Sequence, residues 1–251
     1  MLEKKKRNLN KSQLYNLFMF DFEEVVIWIV SSIFLGFLMS IKIVSHFLYI
    51  DPLSVLLYSA FAMILLFIFI FAQKLVAALL DCSTKIKWLS FKQFGFDDRL
   101  KLNWSFPLWL FLPLFLFLAT LGKFVWLAIL NFDAEPKEGR FRRKWHEISE
   151  FDIGKIAMAG PIAMLIIGLI LRLLSLTNLA FYAVLLGFLS LIPIGNGFKL
   201  LLSSRPLWVF SLVLTGFMVF LISSPGIIIN FLMAVFIAFL LLLAWLVLWE
   251  K

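Results

Sequence analysis

The stretch "LIPIGNGFKLL", Leu191 to Leu201, interrupts a run of apolar residues that continues on both sides of it. Proline removes a backbone donor, and glycine loosens a helix. In lipid, such a break is tolerated where protein or a lined cavity takes up the freed backbone groups. The stretch therefore predicts a broken membrane helix, with Pro193, Gly195, Asn196 and Gly197 facing a protein-enclosed site.

Composition supports the membrane reading. The chain has 251 residues, 63% of them hydrophobic and 15% charged, and includes 30 Phe and 9 Trp. That much apolar surface exceeds what a water-soluble domain can bury. The formal charge is +8, from 23 Lys+Arg against 15 Asp+Glu. In a membrane chain this excess sets topology and attracts anionic head groups, so the lipid bilayer is the expected partner and nucleic acid is not. Cys82 is the single cysteine, which excludes an intrachain disulfide. The N-terminus, "MLEKKKRNLNKSQLYNLFMF", is basic and lacks a small-residue cleavage site, so residues 1–24 read as a retained cytoplasmic head.

A bilayer core of about 30 Å takes roughly 20 apolar residues as helix. That measure places spans near 25–45, 53–80, 156–174, 179–202, 206–222 and 226–249, within one transmembrane domain over 25–251. Polar loops are expected at 81–104 and 131–155, both rich in Lys and Arg. Positive charge marks the cytoplasmic side. If 106–130 crossed once, Arg140, Arg142, Arg143 and Lys144 would lie outside. A segment that dips in and returns keeps them inside, together with Arg205 and Lys251. The expected fold is thus all-α and multi-pass, with six spans plus a re-entrant segment, and with the N-terminus and basic loops cytoplasmic. Arg172, near an outer end, is the exception to the charge rule.

Two motifs carry a family resemblance. "KIAMAGPIAMLIIGLIL" (155–171) contains Ala159-Gly160-Pro161, and about thirty residues later comes Pro193 with Asn196-Gly197. Their order and spacing over roughly 53–222 resemble the site-2 protease family of intramembrane zinc metalloproteases. That family carries an A-G-P turn, a later L-P-x-x-x-L-D-G, and an upstream helix with H-E-x-x-H. The resemblance implies zinc held by two imidazoles and a carboxylate, with a glutamate acting on the bound water. The upstream helix here reads "FIFIFAQKLVAALLDC". One register puts Phe69, Ile70 and Gln73 in the motif slots, and another puts Ala72, Gln73 and Val76 there. Both lack the histidines and the glutamate, and no His lies between His46 and His146. The aspartate slot holds Asn196, and Met164 replaces the asparagine expected after A-G-P. The implied reading is a catalytically degenerate member that binds transmembrane segments of other proteins, without zinc.

Each remaining signal has a plainer counterpart. Asn196 either satisfies its own broken backbone or bonds Gln73 across the former metal site, a contact typically worth about 0.6 kcal/mol in membranes. "WHEISE" (145–150) puts His146 and Glu150 four apart with Glu147 between, but it follows a cationic run and reads as a solvated loop. Lys74 and Lys123 are expected to snorkel to the cytoplasmic surface. Gly160-Pro161 is expected to start a helix, and Ala157, Ala159, Gly160 and Ala163 to admit a close neighbour. Two rival functions stay open. One is an active zinc protease with His146, Glu147 and Glu150 as atypical ligands. The other is a small-molecule or ion transporter that uses the broken helix.

Overall fold

The computed structural model describes residues 20–44, 47–49, 51–93, 101–136 and 148–249. Its helices are α1 (Phe22–Ser40), α2 (Pro52–Leu79), α3 (Leu108–Ala119), α4 (Glu150–Leu173), α5 (Thr177–Leu191), α6 (Asn196–Ser203), α7 (Arg205–Leu221) and α8 (Ile227–Trp249). Among the described residues, α1, α2, α4 and α8 are each long and apolar enough to cross a membrane. The pair α5 and α6, bent by 56° at the break, makes a fifth crossing if counted as one span. The chain is therefore a mainly helical, multi-pass membrane protein. The helix starts obey local chemistry. Asp51 accepts from Leu53 N and Ser54 N, with Pro52 opening α2, and the Ser149 hydroxyl accepts from Asp152 N to cap α4.

The bundle is organised around α4. A Cβ added at Gly160 would sit 2.6 Å from the Phe69 ring, so α2 and α4 meet there at close range. At Gly187 of α5, an added Cβ would lie 3.1 Å from Pro161 O, and at Gly154 of α4 it would strike Ser203 of α6. α5 and then α6 thus descend α4 from Gly168 through Pro161 to Gly154, and the break does not divert the chain from its partner. The Ala159-Gly160-Pro161 motif lies well inside α4, not at its start, because the helix begins at Glu150. The start moved because Ser149 supplies the cap upstream. At one end, the Arg172 guanidinium donates to Thr177 Oγ1 (2.8 Å) and to Ser224 O (3.1 Å). These bonds bring the α4–α5 and α7–α8 connections together.

The polar loops are not irregular throughout. Strand β1 (Lys42–Val44) pairs antiparallel with β2 (Phe47–Tyr49) between α1 and α2. Strand β3 (Cys82–Trp88) pairs antiparallel with β6 (Leu130–Pro136), and β4 (Phe91–Gln93) with β5 (Lys101–Phe106). The polar loops expected at 81–104 and 131–155 thus contain short paired strands. β3 alternates buried Cys82, Thr84 and Ile86 with more exposed neighbours, the period of a half-covered strand.

Between β5 and β6 the chain forms α3, reverses at Thr120–Gly122 and returns extended. Trp109 N donates to Leu89 O, and Leu89 N donates to Ile129 O, both at 2.9 Å. Departure and return are therefore anchored on one residue. Trp109 stacks on Trp88 (centroids 4.9 Å apart), and Phe34 packs edge-on to Trp109. Lys123 is exposed at the turn. At the 1.5 Å rise of a helix, that turn lies roughly 18 Å from the anchor.

Candidate functional site

At the break, Leu191 O has lost its helical partner and instead accepts from Trp208 Nε1 of α7 at 2.7 Å. Ile194 N donates to Ile192 O in a tight turn, and Gly195 adopts φ +83°. That value is left-handed and favours glycine. Gly197 packs so near the preceding carbonyls that an added Cβ would lie 2.3 Å from Leu191 O. The proline, the glycines and the tryptophan together let α6 restart one step aside without orphaning the α5 carbonyl.

The β3–β6 ladder docks on this restart. Asn196, 3% exposed, donates from Nδ2 to Leu130 O at 3.5 Å, while its Oδ1 has no partner. Lys199, one turn on, donates to Phe132 O and lies over the Phe132 ring at 4.3 Å. It also reaches Asp133 Oδ1 at 3.4 Å, and Lys87 holds Asp133 Oδ2 at 2.7 Å. One carboxylate thus sits between two ammonium groups. Burial raises the Asp133 pKa, but the Lys87 hydrogen bond and the charges of Lys199 and Lys87 outweigh it, leaving the carboxyl below its ordinary value. The Asp133 hydrogen bond and charge push the Lys87 ammonium above its ordinary value.

The motif slots on α2 lie inside the bundle. Phe69, Ile70 and Gln73 are at most 2% exposed, with Phe69 against Gly160. Gln73 Nε2 is buried without a hydrogen-bond partner among the described residues. Of the two sequence readings of Asn196, the direct bond to Gln73 is not made. Asn196 gives its amide to a β6 carbonyl instead, since that edge comes down onto α6. Of the family-like positions, the structure brings Phe69 to Gly160 and Pro161 to Gly187. It places Asn196 under β6.

Lys74 does not snorkel. It is 9% exposed, pairs with Glu24 Oε2 at 2.6 Å and lies 4.6 Å from the Phe20 ring centroid. Glu24 Oε1 accepts from Ile86 N at 2.9 Å, and Oε2 also accepts from Asp21 N. One buried carboxylate thus joins α1, α2 and β3. Sequence reasoning passed over Glu24, although a lysine within an apolar helix is itself a signal that a partner must be near.

The residues do not fit zinc in the manner of the resembled family. Phe69 and Ile70 offer no donor atom, and Gln73 and Asn196 offer neutral amides where imidazole and carboxylate are needed. Among the described residues, no three His, Cys, Asp or Glu side chains gather as a metal set. His46, His146 and Glu147 lie outside the described residues, as does the Arg140–Lys144 cluster, while Glu150 stands in the first turn of α4. No family model matches the chain, and no curated protein or solved structure matches it.

Proposed function

We propose that this chain is a membrane-embedded adaptor on a site-2-protease-like scaffold, catalytically degenerate, which binds transmembrane segments of partner proteins. It crosses the membrane six times and has one re-entrant element at 106–130, with its N-terminus and basic loops in the cytoplasm. The observation that carries the reading is the chemistry of the four slots. Phe69, Ile70, Gln73 and Asn196 are each at most 3% exposed, and none is ionisable. Such slots pack helices together, and none of the four side chains can take a proton from a water. The double anchoring of Trp109 and Ile129 on Leu89 supports re-entry. The Arg172 bonds, which put the α4–α5 and α7–α8 turns at one end, support the crossing order.

The test combines chemistry and capture. Purified protein is analysed for zinc and incubated with a model transmembrane substrate, and photoreactive residues at exposed positions such as Ile64 and Phe236 are activated in native membranes. The adaptor reading expects no cleavage and a defined membrane-protein adduct from one face. One tightly held zinc per chain with substrate cleavage would replace it with the protease reading, and solute flux in proteoliposomes with the transporter reading.

A further inference from the structure

At the end of the bundle away from the helix break, a half-open cavity of about 710 Å³ lies between the start of α2 and the α4–α5 turn. It is separated from the break by the length of α5, about 22 Å at 1.5 Å per residue. The volume is in the range of small-molecule and head-group sites. Leu57, Phe61 and Leu179 supply apolar wall, and Tyr58, Thr177 and Asn178 supply polar groups. Tyr58 is steadied edge-on by Tyr182, with ring centroids 6.1 Å apart.

Arg172 does not line the cavity but stands behind Thr177, which does. Arg172 gives Nη1 to Thr177 Oγ1 and Nη2 to Ser224 O, both neutral acceptors, and its buried Nε has none. Because Thr177 Oγ1 accepts from the guanidinium, its own proton is left to donate, polarised by the cation behind it. No side chain caps the start of α5, and Thr177, Asn178 and Leu179, whose N–H groups precede the first intrahelical bond (Ala180 N to Leu176 O), all line the cavity. Such a helix start adds positive potential on the same side. The Asp51 carboxylate, at the N-cap of α2, is engaged by Leu53 N, Ser54 N and Ser54 Oγ.

We propose that this cavity is a phospholipid site: the phosphodiester sits against Thr177 and Asn178, with Arg172 supplying positive charge from behind Thr177, and an acyl chain lies along Leu57, Phe61 and Leu179. A cation without a carboxylate, hydroxyl and amide donors, and apolar wall are the three components a membrane phosphodiester needs. The inference goes beyond the adaptor reading and does not depend on it, since lipid occupancy and zinc or cleavage are read out separately.

The test is native mass spectrometry of the full chain in detergent, after exchange and re-addition of phosphatidylglycerol, phosphatidylethanolamine, diacylglycerol or soluble glycerol 3-phosphate. The expected result is one phospholipid retained per chain, with both phospholipids held and diacylglycerol lost. Leu57→Trp, which fills the mouth from an exposed position, and Arg172→Gln should each lower retention about tenfold, the loss of one charge-assisted contact or of the cavity itself. Thermal unfolding checks that each variant is folded, and Thr177→Val replaces Arg172→Gln if that variant is not. Retention unchanged by Leu57→Trp, or diacylglycerol held as well as phospholipid, would overturn the proposal. Glycerol 3-phosphate bound as tightly as lipid would make this a solute site and overturn it equally.

Discussion

Lys74→Met tests the buried ion pair, because it keeps most of the side chain's shape while removing the ammonium. Glu24 would remain about 5% exposed, with Ile86 N and Asp21 N as its only compensation. Removing one partner of a buried pair costs about 3–5 kcal/mol, because a charge is left in a poorly solvating interior. Two backbone donors stay on the carboxylate, which places the expected cost near the lower end, about 3 kcal/mol. Adding Glu24→Gln removes the stranded charge but keeps an oxygen for Ile86 N, so the double variant should lie within about 1 kcal/mol of the parent. Equilibrium unfolding in mixed micelles, run as a double-mutant cycle, gives the coupling directly. The reasoning fails if Lys74→Met costs less than about 1 kcal/mol, or if the two substitutions add without coupling.

Three further outcomes follow from the same geometry. Gly160→Ala should destabilise by about 1–3 kcal/mol, because its Cβ meets the buried Phe69 ring, and Phe69→Leu should recover much of the loss in chemical unfolding. Gln73→Leu should raise stability by about 1 kcal/mol, since it removes a buried amide nitrogen that has no partner, and a fall in unfolding midpoint would contradict this. The Asp133 carboxyl is depressed, so its contribution is present above the unfolded value near 3.9 and is lost as pH falls through the folded value. Lys87 is raised, so its contribution is present below the unfolded value near 10.4 and is lost as pH climbs through the folded value. Amide exchange in β3 and β6 should therefore be most protected between those limits, and Asp133→Asn should flatten both limbs.

The sequence marked where the helices are, because apolar length alone decides which segments a bilayer can hold. Each predicted span has a helix at its place, but their limits moved. α4 opens at Glu150 because Ser149 caps it, and the 179–202 span is two helices meeting at 56°. The break at Pro193–Gly197 was legible because proline and glycine act on their own backbone. The ladder that covers it was not. β3 and β6 are far apart in the chain, and β pairing depends on a partner that no local pattern names.

Composition and the local break residues thus determined the membrane class and the position of the kink, since both depend on single residues and their near neighbours. Only the tertiary structure decided what each polar side chain meets. Lys74 found Glu24 instead of the surface, Asn196 found Leu130 instead of Gln73, and Arg172 found Thr177 and Ser224. The reason is distance along the chain: these contacts join residues brought together by helix packing, and packing is set by small-residue approaches such as Gly160 on Phe69.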